Sequence, residues 1–245
     1  MDQLKLAGLA AWHLLLTLPS FGYHGSLNLY RRFVSWPANP PLPRIAFGQN
    51  VVVFVHGRGG HPSQFDTTIW NLKSILPTSY LLQTVNLGNT FSTKLDSDVA
   101  MLEQELKIYS NCNLILVGVS KGGLICLRYL ATKSDPRIQK VISISSPLQG
   151  TQATSLTSPS SLVHQELGYQ SPITQETYKL LTKDQLEHQI YHIVPKWDYL
   201  IIPNTAAAYP DTNPDHIYQY EGYYSHIVIP HSVEIANILS KFIGQ

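Results

Sequence analysis

Hydrophobic residues fall along this chain in short continuous runs, separated by stretches in which they recur at helical spacing. Val51–Val55 (VVVFV) is apolar at every position, and its β-branched and aromatic residues suit a strand buried on both faces. Comparable runs lie at Leu81–Leu87, Asn113–Val117, Gln139–Ile144, Gln189–Val194 and Ile217–Tyr220. Between and after them, Pro62–Leu76, Lys94–Tyr109, Gly122–Thr132 and Ser232–Ile243 read as helices; in the second, Leu95, Val99, Leu102 and Leu106 share one face. Short buried runs alternating with amphipathic helices predict parallel βαβ units with right-handed crossovers, which is the α/β class: a mostly parallel central sheet with helices on both faces.

The rhythm breaks twice. Gln149–Lys183 is rich in Ser, Thr and Gln, with helices expected near Ser160–Leu167 and Ile173–Thr182, and it reads either as a small lid-like insertion or as a surface excursion. At the other end, Leu6–Tyr30 holds no Asp, Glu, Lys or Arg, and the apolar run Leu6–Leu18 stops at Pro19. A run of that length falls short of the roughly 20 residues of a spanning helix. Three readings stay open: a helix packed on the domain, contact of residues 1–22 with a membrane surface, or a cleaved signal segment. The first two place the protein in the cytoplasm or at a membrane periphery, and the third makes it secreted. Pro37, Pro40, Pro41 and Pro43 then force an extended entry. The organisation expected is an apolar segment over 1–35 and one domain over 36–245, since 245 residues need no second core.

Composition narrows the classes of function. Charged residues make up 13% of the chain, against about 25% in an average soluble domain. The deficit fits either a surface of uncharged polar residues or one that meets lipid. A net charge of +1 without basic blocks gives nucleic-acid binding no electrostatic support. No HExxH or other ligand cluster suggests a metal, and no cofactor is expected. Cys112 and Cys126 are too few for a disulfide framework.

The chemistry concentrates at Gly118-Val119-Ser120-Lys121-Gly122, a G-x-S-x-G pattern. The pattern alone is weak, but here it leaves a buried strand and enters a helix, the setting that lifts a serine hydroxyl above a sheet edge. Gly118 and Gly122 allow the tight turn, where a Cβ would strike the adjoining strand or helix. A serine hydroxyl needs a base to take its proton. Among ten histidines, His226 lies in a loop between the last strand and the last helix, and is favoured over His231, which begins the helix. His192 falls inside a strand and reads as a packed core residue. The supporting acid is expected before the base in sequence, after a strand end. Asp198 fits, whereas Asp211 and Asp215 sit beside Pro210 and Pro214 and read as turn residues. For the oxyanion, the backbone N–H groups of Lys121 and Arg58 are the candidate donors, with Gly57 letting the backbone approach the substrate. The side chains of Arg58 and Lys121 are expected as solvated charges near the mouth.

Taken together, VVVFVHGRGG, LVGVSKGG, Ile144-Ser145-Ser146-Pro147-Leu148-Gln149-Gly150-Thr151, PKWDYLIIP and SHIVIP resemble the α/β-hydrolase superfamily, in particular its lipase-like branch of triacylglycerol lipases, GPI inositol-deacylase-like lipases and palmitoyl-protein thioesterases. The resemblance runs from about Asn50 to the C-terminus. It implies an α/β-hydrolase fold, a serine hydrolase acting through Ser120, Asp198 and His226, and an acyl ester or lipid substrate. Val119 stands where lipases usually carry His, and Lys121 replaces a commoner small or apolar residue. The expected reaction is cleavage of a carboxylic ester; a protein or acyl-CoA thioesterase is the enzymatic alternative, and an inactive hydrolase-fold binding module the non-enzymatic one.

Overall fold

The computed structural model describes residues 45–222, 226 and 228–245, so the apolar segment 1–35 and its possible membrane contact lie outside the described residues. The strands are β1 (Asn50–Val55), β2 (Tyr80–Val85), β3 (Asn113–Val119), β4 (Ile138–Ile144), β5 (Ile190–Pro195) and β6 (Ile217–Tyr220). They form one six-stranded sheet in the order β2-β1-β3-β4-β5-β6, and every neighbouring pair is parallel. Each run named from the sequence is a strand, with ends shifted by at most two residues.

Both faces are covered, which is why the runs carry no polar alternation. Val51, Val53, Val55, Leu114 and Leu116 pack on the side of α2 (Leu95–Leu106) and α3 (Lys121–Lys133). Val52, Phe54, Ile115, Val117 and Val119 pack on the other side against Leu72 of α1 (Asp66–Ile75) and Ile235, Leu239 and Phe242 of α7 (Val233–Gly244). All of these side chains are buried, and each apolar side chain removed from water stabilises the fold by roughly 1.5–3 kcal/mol.

The stretch after β4 holds a 3-10 turn (Gln152–Leu156), α4 (Leu162–Leu167) and α5 (Pro172–Leu180), near the two helices expected there. A further helix, α6 (Lys183–His188), was not anticipated. Its start is marked by a capping box between Thr182 and Gln185, a signal the sequence did contain. Carboxylates fasten this stretch to the domain. Glu166 of α4 accepts from the Leu95 N–H at 2.9 Å, and Glu176 of α5 pairs with the buried Arg128 of α3 at 2.8 Å.

Strand order also locates the site. The chain runs outward from β1 to β2, then returns past β1 to β3 and proceeds the other way. The crevice at such a reversal, beyond the carboxyl ends of the strands, is where open α/β sheets hold ligands. Here that crevice lies between the loops after Val55 and Val119.

Candidate active site

The register of the ladder lines up the strand ends. Val55 is opposite Gly118, Val119 opposite Ile144, and Ile144 opposite Ile193. Ser120 therefore emerges beside Ser145, and its N–H bonds the Ile144 carbonyl at 2.9 Å. Ser120 has φ 54 and ψ −127, a left-handed backbone that is costly for any residue but glycine. The surroundings impose it. A Cβ on Gly118 would lie 2.4 Å from the Gly122 carbonyl oxygen, and one on Gly122 would lie 2.3 Å from the Val55 carbonyl oxygen. Strand β1, strand β3 and helix α3 thus meet closer than any side chain permits, and the chain turns at Ser120 immediately before α3.

Asp198 and His226 meet although they come from different loops. His226 Nδ1 lies 2.6 Å from Asp198 Oδ2, and both residues are buried. The other carboxylate oxygen, Oδ1, accepts from the N–H groups of Leu200 (2.8 Å) and Ile201 (3.3 Å). Burial pushes the Asp198 carboxyl up. The attraction of His226 and the hydrogen bonds from His226, Ser145 and Leu200 outweigh it, so the group sits below its ordinary value and stays ionised. Sequence reasoning missed Ser145 as a member of this group. Its hydroxyl donates to Asp198 Oδ2 and lies 3.0 Å from His226 Nδ1, and its own φ is 48. The signal was present, since Ser145 stands in the Ser-Ser-Pro-Leu-Gln-Gly-Thr segment on which the family resemblance partly rests. Among the described residues no hydrogen bond joins Ser120 to the His226 ring, whose recorded partners are on the Nδ1 side. Serine–histidine contacts are often long in unliganded sites and tighten when substrate arrives.

The loop after β1 wraps against the same serine. A Cβ on Gly57 would lie 3.0 Å from Ser120 Cβ and 3.6 Å from its Oγ. The Arg58 guanidinium stacks 3.6 Å over the exposed ring of Phe91, and partial burial lowers its pKa from the ordinary value. Lys121 corrects an expectation. Its side chain is no solvated charge at the mouth: the ammonium is buried, 2.7 Å from Asp98 and 3.9 Å from Glu166, and bonds the carbonyls of Thr93 (2.7 Å) and Thr90 (3.2 Å). An ammonium is removed from water this completely only where opposite charge awaits it. Asp98 lies on the apolar face of α2, between Leu95 and Leu102, so a carboxylate within a hydrophobic stripe was the readable sign. Burial pushes the Glu166 carboxyl up, and the Leu95 N–H and Lys121 offset this only in part.

The remaining candidates take quieter places. His192 is buried in β5 between Ser143 (2.7 Å) and Thr212 (3.1 Å). His231 ends a 3-10 turn (Ile229–His231), and Ser232 caps α7. Asp211 accepts from the Tyr178 hydroxyl, and Asp215 lies in a 3-10 turn. A cleft of about 950 Å³ lined by Leu181, Leu186, Asp211, Thr212 and His216 includes none of Ser120, Asp198, His226, Arg58 and Lys121. Among the described residues no group of three or more His, Cys, Asp or Glu side chains is arranged to hold a metal ion.

A family model described as palmitoyl protein thioesterase matches residues 51–199, more than half of the chain. That span holds Ser120, Asp198 and the loop after β1, and ends before His226. No curated protein matches the chain. Several solved structures are similar in fold. One of two metagenome-derived lipolytic enzymes is 14% identical, covering 81% of this chain and 95% of its own, with a TM-score of 0.60. The mature lipase of Bacillus licheniformis is 16% identical, covering 85% and 96%, with a TM-score of 0.56. A bromoperoxidase from Bacillus anthracis is 15% identical, covering 81% and 92%, with a TM-score of 0.57. The fold is therefore that of the α/β hydrolases, and the spread of names among these structures leaves the chemistry to be argued from the site.

Proposed function

This chain belongs to the palmitoyl protein thioesterase family and is a serine hydrolase, and on that premise we propose that it cleaves an acyl ester or thioester with Ser120 as nucleophile, His226 as base and Asp198 as supporting acid. The observation that carries the reading is the pairing of His226 Nδ1 with a buried, ionised Asp198 at the sheet edge where Ser120 is held in its strained turn. That pairing keeps the Nδ1 proton in place and leaves Nε2 to accept the proton of Ser120.

The steps follow from these roles. Ser120 Oγ attacks the acyl carbon as its proton passes to His226 Nε2, and the oxyanion is met by the N–H groups of Arg58 and Lys121. Lys121 opens α3, where backbone N–H groups have no partner within the helix. The tetrahedral intermediate collapses, the bond to the leaving oxygen or sulfur breaks, and His226 returns its proton to that atom. Water, deprotonated by His226, then attacks the acyl-enzyme; the acid is released and Ser120 regains its proton. Gly57, Gly118 and Gly122 shape the turn that makes the attack geometrically possible. The family match favours a long acyl chain on sulfur as the second reading, beside the carboxylic ester. The domain reading goes with this: one hydrolase domain over 36–245, with the stretch 149–183 as its lid-like insertion, and residues 1–22 as a segment for membrane contact.

Hydrolysis of a p-nitrophenyl ester series and of palmitoyl-thioester substrates, by the full chain and by Ser120→Ala, tests the reading. Both activities are expected to vanish in the variant while its circular dichroism is unchanged. Activity equal to that of the parent would remove Ser120 from the mechanism, and the ratio of the two activities in the parent assigns ester or thioester. Liposome flotation with and without residues 1–22 tests the membrane reading, which equal behaviour of both chains would reject.

A further inference from the structure

One carbonyl in the loop after β1 is bonded far beyond what a simple strand-to-helix turn needs. The Gly57 oxygen lies 3.0 Å from the Gly60 nitrogen, 3.0 Å from His56 Nδ1 and 2.8 Å from Thr90 Oγ1. His56 is wholly buried, and its Nε2 accepts from the Leu87 N–H at 3.2 Å, which puts the ring proton on Nδ1 and makes the ring a donor to Gly57. Thr90, also wholly buried, donates to the Gly57 carbonyl and accepts from the Gly59 N–H at 2.9 Å. Its hydroxyl therefore grips the backbone on both sides of Arg58.

The consequence follows from the planarity of the peptide. In a trans peptide the N–H points opposite to the C=O. With the Gly57 carbonyl held inward by these donors, the Arg58 N–H is turned the other way, and the Gly57 backbone from which it extends lies against Ser120. Hydrogen bonds to the carbonyl also polarise the peptide and strengthen its N–H as a donor.

Thr90 is held in turn. Its carbonyl accepts from the Lys121 ammonium, which is fixed by Thr93 and Asp98, while Glu166 from the insertion stands 3.9 Å away. Lys121 is also the residue whose backbone N–H is the second candidate oxyanion donor. The Lys121 and Thr90 side chains, in series, thus link the two backbone segments that must face the same oxygen.

We propose that Thr90, anchored by the buried Lys121 side chain, is a positioning residue that sets the Arg58 N–H toward the reacting carbonyl. The proposal rests on the reading of the Arg58 and Lys121 N–H groups as the oxyanion donors. It gives Lys121, at a position where the resemblance implies a small or apolar residue, a reason to carry charge.

The test compares Thr90→Val, which keeps the shape and removes the hydroxyl, with Thr90→Ser, which restores it. Two quantities are read on a p-nitrophenyl ester: the split between kcat and KM, and the affinity for a trifluoromethyl ketone, which forms a tetrahedral adduct. Thr90→Val is expected to lower kcat by about 10-fold or more, a part of the 10²–10³-fold loss seen when an oxyanion donor is deleted. It is expected to weaken the ketone by a similar factor, to leave KM within about twofold, and to be rescued by Thr90→Ser. Should Thr90→Val fail to fold, Thr90→Ala carries the same expectation. A folded variant with kcat and ketone affinity unchanged, a loss confined to KM, or no rescue by Ser would overturn the proposal. Activity that survives Ser120→Ala would fault the nucleophile instead, so the two failures are separable.

Discussion

The loops that leave β1 and β3 and the loops that leave β5 and β6 converge on one edge of the sheet, but they are held there by different forces. In the first pair the turn after β3 is fixed by steric exclusion against β1, while hydrogen bonds to the Gly57 carbonyl hold the loop after β1. Gly118 and Gly122 lie where a Cβ would meet backbone at 2.4 and 2.3 Å, and Ser120 is forced into a left-handed conformation between them. The second pair is fixed by polar contacts between residues far apart in sequence: Asp198 gathers His226, Ser145 and two backbone N–H groups around one buried carboxylate. A sterically determined turn is all-or-none, because nothing larger fits. A polar assembly can lose one member and still stand, with a graded loss of function.

Substitutions that strike each side should separate accordingly, and the largest loss belongs to the turn. Gly122→Ala places a methyl inside the β1 backbone, and the expected outcome is loss of soluble folded protein; a variant that melts like the parent would show that the strands can part. Next, Asp198→Asn should fold yet lose on the order of 10⁴-fold in kcat, because it sets the wrong imidazole tautomer. A loss under tenfold, measured on a p-nitrophenyl ester, would transfer the role to another acid. Removing one donor of several, Ser145→Ala should cost about 10-fold in kcat with KM unchanged, the scale of one charge-assisted hydrogen bond. A loss as deep as that of Asp198→Asn would mean the polar assembly is as brittle as the turn.

The smallest effect is on stability. Burial, with repulsion from His216, holds the His192 pKa down at about 3, below its ordinary 6.5. Between those values the unfolded chain binds a proton that the folded one does not. The stability tied to neutral His192 is therefore complete above pH 6.5 and declines as pH falls through that window. Urea unfolding at pH 7 and pH 5 should show a drop about 2 kcal/mol smaller in His192→Gln than in the parent, at about 1.4 kcal/mol per pH unit. Equal drops would mean that His192 takes up its proton in the folded state near its ordinary pKa.

The same contrast explains what the sequence revealed. The strands were legible because a sheet covered on both faces leaves unbroken apolar runs, and the turn at Ser120 was legible because only glycine fits at Gly118 and Gly122. The charge on Lys121 was misread, since nothing local to it announces Asp98 and Glu166 as partners. Ser145 was overlooked in its present role because a hydroxyl acquires meaning only when β4 and β5 bring it to Asp198. Periodicity encodes which face a residue occupies, and it says little about what stands opposite across the sheet edge.

The central claim is that the Ser120 hydroxyl is activated by the His226 ring that Asp198 holds. Fluorophosphonate labelling followed by peptide mapping tests it most directly. A single adduct on Ser120 is expected, absent in Ser120→Ala and formed at least 10³-fold more slowly in His226→Ala, on the order of what a general base contributes. An adduct on another residue, or labelling of His226→Ala at the parent rate, would contradict it.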